Sequence, residues 1–164
     1  MALLPPSRVL DRATAVLEEL RAYPAWTASL ERAMPRTTPL FVKSIAPPPR
    51  KGPRLPDYFI ISIQRGNGIS ARFAHHAETG DFLEAEAVQK ADAVLPEYVD
   101  PREPLPLDPP ATSPITSAPE LVWRPCIEST TRFLPFWRFQ TGGQPVYVRA
   151  DGVRFENLTV NNRG

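Results

Sequence analysis

Residues Phe133–Leu158, FLPFWRFQTGGQPVYVRADGVRFENL, decide how this chain is read. Phe136 to Gln140, Pro145 to Arg149 and Val153 to Leu158 read as three strands. Gly142-Gly143 and Asp151-Gly152 supply the turns between them, with residue types that tolerate positive φ. A period of two sets Val146 and Val148 opposite Tyr147 and Arg149, and gathers Trp137 and Phe139 on one face. The stretch is therefore expected to be an antiparallel meander.

Further upstream the same order of features occurs once more. PELVWRPC (119–126) matches PLFVKSIA (39–46), FLPFWRFQTGG matches RLPDYFIISIQRGNG, and VYVRADGVRFENL matches ARFAHHAETGDFLEA. Both halves read as strand, Leu-Pro loop, strand, glycine turn, strand, acid-Gly turn, strand. A shared period of roughly 80 residues signals a duplication. In the first copy the strands are PLFVKSI, DYFIISIQ, ISARFAHHA and DFLEAEAV; Lys90 to Leu95 fits either a helical turn or a strand extension. Two proline-rich stretches, APPPRKGPRLP (46–56) and DPREPLPLDPPATSPITSAP (100–119), are too broken for regular structure and favour extended geometry.

Ahead of the β-rich part lies helical material. Val9, Leu10, Ala13, Val16, Leu17 and Leu20 recur at helical spacing, predicting an amphipathic helix from a Ser7 cap to about Tyr23. Pro24 suits the first turn of a short second helix, PAWTASLERAM, with Trp26 and Leu30 on one face. The expected fold class is α+β: an N-terminal helix packed on an antiparallel β-sheet built from two related meanders. The expectation is one domain over 1–164, with a helical N-terminus (1–35), a first β unit (39–95), a proline-rich linker (100–118) and a second β unit (119–160).

Composition narrows function. The hydrophobic share of 42% supplies enough apolar material for a core. A formal charge of +1 provides no field to steer a polyanion, so nucleic acid is not an expected partner. Cys126 is the single cysteine, which excludes an intramolecular disulfide and a CxxC metal knuckle. The N-terminal residues lack the pattern of a secretory signal, and no run reaches the ~20 apolar residues of a membrane span. A cytoplasmic chain, no membrane partner and no cofactor are expected.

One helix followed by an antiparallel meander ending in YVRADGVRFENL resembles PepSY-like and cystatin-like α+β domains. Tyr147, Val148, Asp151, Gly152 and Val153 carry the resemblance, and Thr79 and Gly80 echo it in the first copy. It implies a non-catalytic domain that binds peptides or inhibits proteases.

Candidate chemistry is sparse. His75 and His76 are adjacent on a strand, so they face opposite ways and do not chelate one ion together without a bulge; both are expected near a turn or solvent. Cys126, in WRPCIEST, is expected to be a buried structural thiol; a cysteine-dependent hydrolase pairing Cys126 with a histidine is one alternative. IQRGNGIS lacks the lysine and helix of a phosphate loop. Trp123, Phe133, Phe136, Trp137, Phe139 and Tyr147 form the densest aromatic group, mostly expected to pack between sheet and helix. Tryptophan beside arginine is also the combination enriched at binding hot spots. The expected binding residues are Trp123, Arg124, Trp137, Arg138, Tyr147 and Arg149. The expected activity is non-enzymatic capture of a peptide or protein segment by main-chain pairing at a sheet edge, as an accessory or recognition subunit in a peptide-modifying or proteolytic pathway. A cystatin-like inhibitor presenting Gly66-Asn67-Gly68 or Gly142-Gly143 is the other alternative, and an uncovered edge also favours a homodimer.

Overall fold

A computed structural model describes residues 2–47, 54–90, 92–100 and 117–159. Most of both proline-rich stretches lies outside them. The chain divides into two compact units, Met1–Phe41 with Pro56–Pro96, and Val42–Leu55 with Glu97–Gly164.

The first unit begins with helix α1, Pro6–Arg21. Ser7 is not its cap. Pro5 is extended and Pro6 occupies the first turn, where a missing N–H costs no hydrogen bond, and no side chain caps the end. Val9, Ala13 and Leu17, spaced by four, are its buried residues. They pack on Phe59, Ile61 and Ile63 of strand β3 (Tyr58–Arg65) and on Ala71 and Phe73 of strand β4 (Gly68–His76). Burial of each large aliphatic side chain stabilises the layer by about 1.5–3 kcal/mol.

Helix α2 spans Pro24–Leu30 and stops short of the expected length. Arg32 has φ 55, and Ala33 N–H donates to Leu30 C=O, so the backbone turns away there. Arg21 fastens the two helices, donating from Nε to the Leu30 carbonyl at 3.0 Å and from a terminal nitrogen to Ala33 C=O. A two-residue strand β1, Met34–Pro35, then pairs antiparallel with β3.

Strands β3, β4 and β5 (Phe82–Ala87) make the first meander, all antiparallel. On the sheet face turned from α1, Tyr58, Ile60, Ser70, Arg72 and Ala74 are all buried. Part of the reason is the returning chain at 95–96: Leu95 N–H donates to Ile69 C=O, and Pro96 C=O accepts from the Arg72 guanidinium. Strand β5 does not continue to Leu95; Ala93 N–H donates to Lys90 C=O at 3.2 Å, and Leu95 makes one isolated bridge to Ile69.

The second unit contains strands β6 (Glu120–Trp123), β7 (Phe136–Thr141), β8 (Gln144–Arg149) and β9 (Arg154–Phe155), consecutively antiparallel. Strand β2 (Leu40–Ser44) crosses the boundary between units, and its Lys43 and Ser44 pair with Val122 and Trp123 of β6 in parallel. The α+β class holds, but the strands are mixed in direction and more numerous than two antiparallel meanders require. Strand β9 is shorter than expected because the chain turns inward after Phe155: Leu158 is buried with Cys126, Val122 and Phe136, and Thr159 N–H donates to the Glu128 carboxylate at 2.9 Å. Asp151-Gly152 turns the β8–β9 hairpin as expected, with Gly152 at φ 95 and Arg149 N–H donating to Val153 C=O at 2.8 Å.

The aromatic group does not form one layer under α1. The second unit has its own clusters: Phe136 with Tyr147 and Phe155 on one face of the sheet, and Phe139 with Val146, Val148 and Trp137 on the other. The Phe136 ring meets Tyr147 and Phe155 edge-on at 6.3 and 5.9 Å between centroids.

Candidate functional site

Strand parity separates the six residues expected to bind a ligand. Glu120, Arg138, Tyr147 and Phe155 are successive cross-strand partners, and directly opposed residues share a face. Leu121, Trp137, Val148 and Arg154 form the adjacent row on the opposite face. Arg138 and Tyr147 therefore lie on one side of the sheet, and Trp137 on the other.

The partners of these side chains say what each is occupied with. Trp123 is buried, with the Arg132 guanidinium 5.3 Å from its ring centroid. Trp137 Nε1 donates to the Val99 carbonyl at 3.1 Å. Arg124 donates to Leu158 C=O. Arg149 makes a two-pronged contact with Asp151 at 2.8 Å on each side and donates to Glu128 C=O at 2.5 Å. That contact holds the Asp151 carboxyl below its ordinary range and raises the guanidinium. Arg124 and Arg149 thus close loops of their own unit, while Arg138, Tyr147 and Trp137 keep part of their surface in solvent.

Arg138 shares the Glu120 carboxylate with Lys43, the latter at 3.1 Å. Burial alone would raise the Glu120 carboxyl, but the hydrogen bonds from Arg138 and Lys43 outweigh it and bring it below the usual carboxylate value. Sequence reading named Arg138 but neither Lys43 nor Glu120, whose proximity depends on the parallel pairing of β2 with β6.

In the first unit, β5 has β4 as its only ladder partner among the described residues. Val88 N–H donates to Ser70 C=O at 3.0 Å. Alternation along an antiparallel ladder then aims the main-chain groups of Glu84 and Glu86 at β4, and those of Ala85 and Ala87 outward. The Ala85 and Ala87 side chains pack on the α1 core, and Phe82 is 42% exposed at the start of the strand. Glu86 is paired with the buried Arg72 at 2.7 Å. Burial raises the Glu86 carboxyl against the opposing pull of Arg72.

The two histidines lie at the β4–β5 turn and differ in surroundings. His75 lies beside the turn, one of its two expected settings, and is fully buried there because it continues the inward series Ala71, Phe73. Its Nδ1 is 3.0 Å from Gly80 C=O, and its Nε2 has no hydrogen-bond partner among the described residues. Burial lowers its pKa, and the Arg12 charge acts in the same direction against the Gly80 hydrogen bond. His76 is half-exposed, and its Nδ1 accepts Glu78 N–H at 3.1 Å.

Cys126 is buried in a bridge with Ser129 directly after β6. Burial raises its thiol above the ordinary value, Ser129 C=O lies 3.7 Å from Sγ, and the Glu128 carboxylate adds to the rise. A reactive thiol is built with the opposite electrostatics. Among the described residues no three His, Cys, Asp or Glu side chains are grouped to hold a metal ion, and no helix is long and apolar enough to cross a membrane. No family model, curated protein or solved structure matches the chain.

Proposed function

We propose that this protein is a non-enzymatic module that captures an extended peptide or protein segment by main-chain pairing along β5. One observation carries the reading: a six-residue strand with a ladder on one side and outward main-chain groups at Ala85 and Ala87 on the other. Such an edge satisfies its donors and acceptors by adding a strand. Asp81 precedes it, Glu84 and Glu86 lie within it, and exposed Phe82 offers an apolar contact at its start. The occupant this chemistry favours is an extended segment carrying Lys or Arg beside an apolar residue. The same acids oppose two copies of β5 pairing at neutral pH, which makes a homodimer the lesser occupant. An amphipathic helix over an antiparallel meander is also in keeping with the PepSY-like and cystatin-like resemblance and its peptide-binding role.

Amide resonances followed during titration with a library of basic extended peptides test the reading. Shifts centred on 82–88, lost in Ala85→Pro, are the expected result. Shifts confined to 136–149, or dilution-dependent shifts at 82–88 without peptide, would overturn it in favour of the Arg138–Tyr147 face or of self-association.

A further inference from the structure

The corner where β4 turns into β5 has an arrangement that strand capture does not need. His75 sits inside the first unit, its ring 5.7 Å from Phe82 and tilted edge-on to it. Nδ1 bonds to the carbonyl of Gly80, a residue held at φ +74. The start of the chain rests on that same glycine: a Cβ there would lie 2.9 Å from Leu4 Cδ1 and 3.2 Å from Arg12 Cγ. Leu4 N–H also donates to Ala77 C=O at 2.8 Å. One imidazole therefore braces the turn on which the first turns of α1 are seated.

The bond to Gly80 needs a proton on Nδ1, since a carbonyl only accepts. Nε2 is then the bare nitrogen, buried without a donor. A second proton would place a cation and an unanswered N–H in the interior, which is costly without a compensating acceptor. From α1 the charge acting on the ring is the Arg12 guanidinium, while Arg8 and Asp11 line the cleft of about 340 Å³ above the turn together with Leu4, Ala15 and Thr79. From the turn, His76 is occupied by Glu78 N–H, and Asp81 accepts from the Thr79 hydroxyl at 2.7 Å. From β3 and β5 the cross-strand neighbours are Phe59 and Phe82, both apolar.

We propose that His75 is an acid-sensitive latch, which in its neutral form fastens the β4–β5 turn beneath the start of α1 and on gaining a proton releases that corner. The sign follows from linkage. A histidine whose proton affinity is lower folded than unfolded costs nothing above its ordinary pKa of 6.5, and below it the open form binds the proton first. The open population of residues 76–84 then rises about tenfold for each pH unit below that value, until the closed form is protonated as well. The latch is independent of strand capture, although its release frees the beginning of β5 and is expected to weaken binding there in acid.

Native-state hydrogen exchange of the unliganded protein between pH 7.5 and 5.0, corrected for intrinsic rates, reads the latch directly. The amides of 76–84 and the first turns of α1 are expected to lose protection with that slope, and His76→Asn to leave it unchanged. His75→Asn, whose amide reaches the Nδ1 position but does not titrate, is expected to flatten it. A flat wild-type profile, or a slope that survives His75→Asn, overturns the proposal. Should that variant not fold, ring resonances of the wild type decide: a neutral Nδ1-protonated His75 persisting well below pH 6.5 supports the latch, and titration at or above 6.5 overturns it. Peptide binding at β5 enters none of these readouts, so failure of the latch and failure of strand capture are distinguishable.

Discussion

Gly80→Ala tests the geometry of the first unit most sharply. Gly80 holds φ +74, a conformation that costs an L side chain about 1–2 kcal/mol. The added methyl also lies inside contact distance of Leu4 Cδ1 and Arg12 Cγ. Both are parts of flexible side chains, so displacing them adds roughly 1 kcal/mol, the low end for overpacking. A total of about 2–3 kcal/mol lowers Tm by about 4–12 °C in a chain of this size. Gly66→Ala is the matched control, because Gly66 has φ +58 with nothing within 4 Å of its added methyl; it is expected to show the backbone part alone, about 1–2 kcal/mol. The assay is urea unfolding followed by circular dichroism, with both variants measured beside the parent. Equal losses at the two glycines would refute the seating of Leu4 and Arg12 on the turn.

Three further outcomes follow from the geometry. Phe136→Ala removes a fully buried ring at the centre of one aromatic cluster and is expected to cost about 3–5 kcal/mol by denaturant unfolding, well above Tyr147→Ala at the half-exposed neighbour. Arg72→Met leaves Glu86 without its cation, and a double-mutant cycle with Glu86→Gln is expected to recover part of a loss of about 2–4 kcal/mol, since an unpartnered carboxylate is worse than none. Glu120 titrates lower folded than unfolded, so its contribution is present above about pH 4.5 and fades as pH falls through the folded value; Glu120→Gln is expected to remove that part of the acid limb while costing less than about 1 kcal/mol at pH 7.

Local pattern carried much of the architecture. Four-residue spacing of Val9, Ala13 and Leu17 located the buried stripe of α1, and the alternation Val146, Tyr147, Val148, Arg149 placed both faces of β8. That same alternation separates Trp137 from Arg138, so the division of the expected binding set is legible in the sequence, whereas residue type alone unites them. The parallel pairing of β2 with β6 left no local mark: LFVKS and ELVW are short, and no turn joins them. The burial of Arg72 depends on Glu86 and the returning Pro96 carbonyl, both distant in sequence. His75 was readable in principle, since Ala71, Phe73 and His75 have one parity, but a polar residue near a turn suggests solvent. The unladdered side of β5 among the described residues is a property of tertiary arrangement, visible once neighbours are known.

The parallel match of β2 to β6 bears on how the chain matures. Lys43 and Glu120 are 77 positions apart, and a crossover of that length closes against a large entropy. During synthesis at about 5–20 residues per second, Lys43 and Ser44 leave the ribosome several seconds before Val122 and Trp123 exist to meet them. Through that interval their ladder positions stay open to foreign strands, and a nascent chain stalled short of Glu120 would be the form most in need of a chaperone.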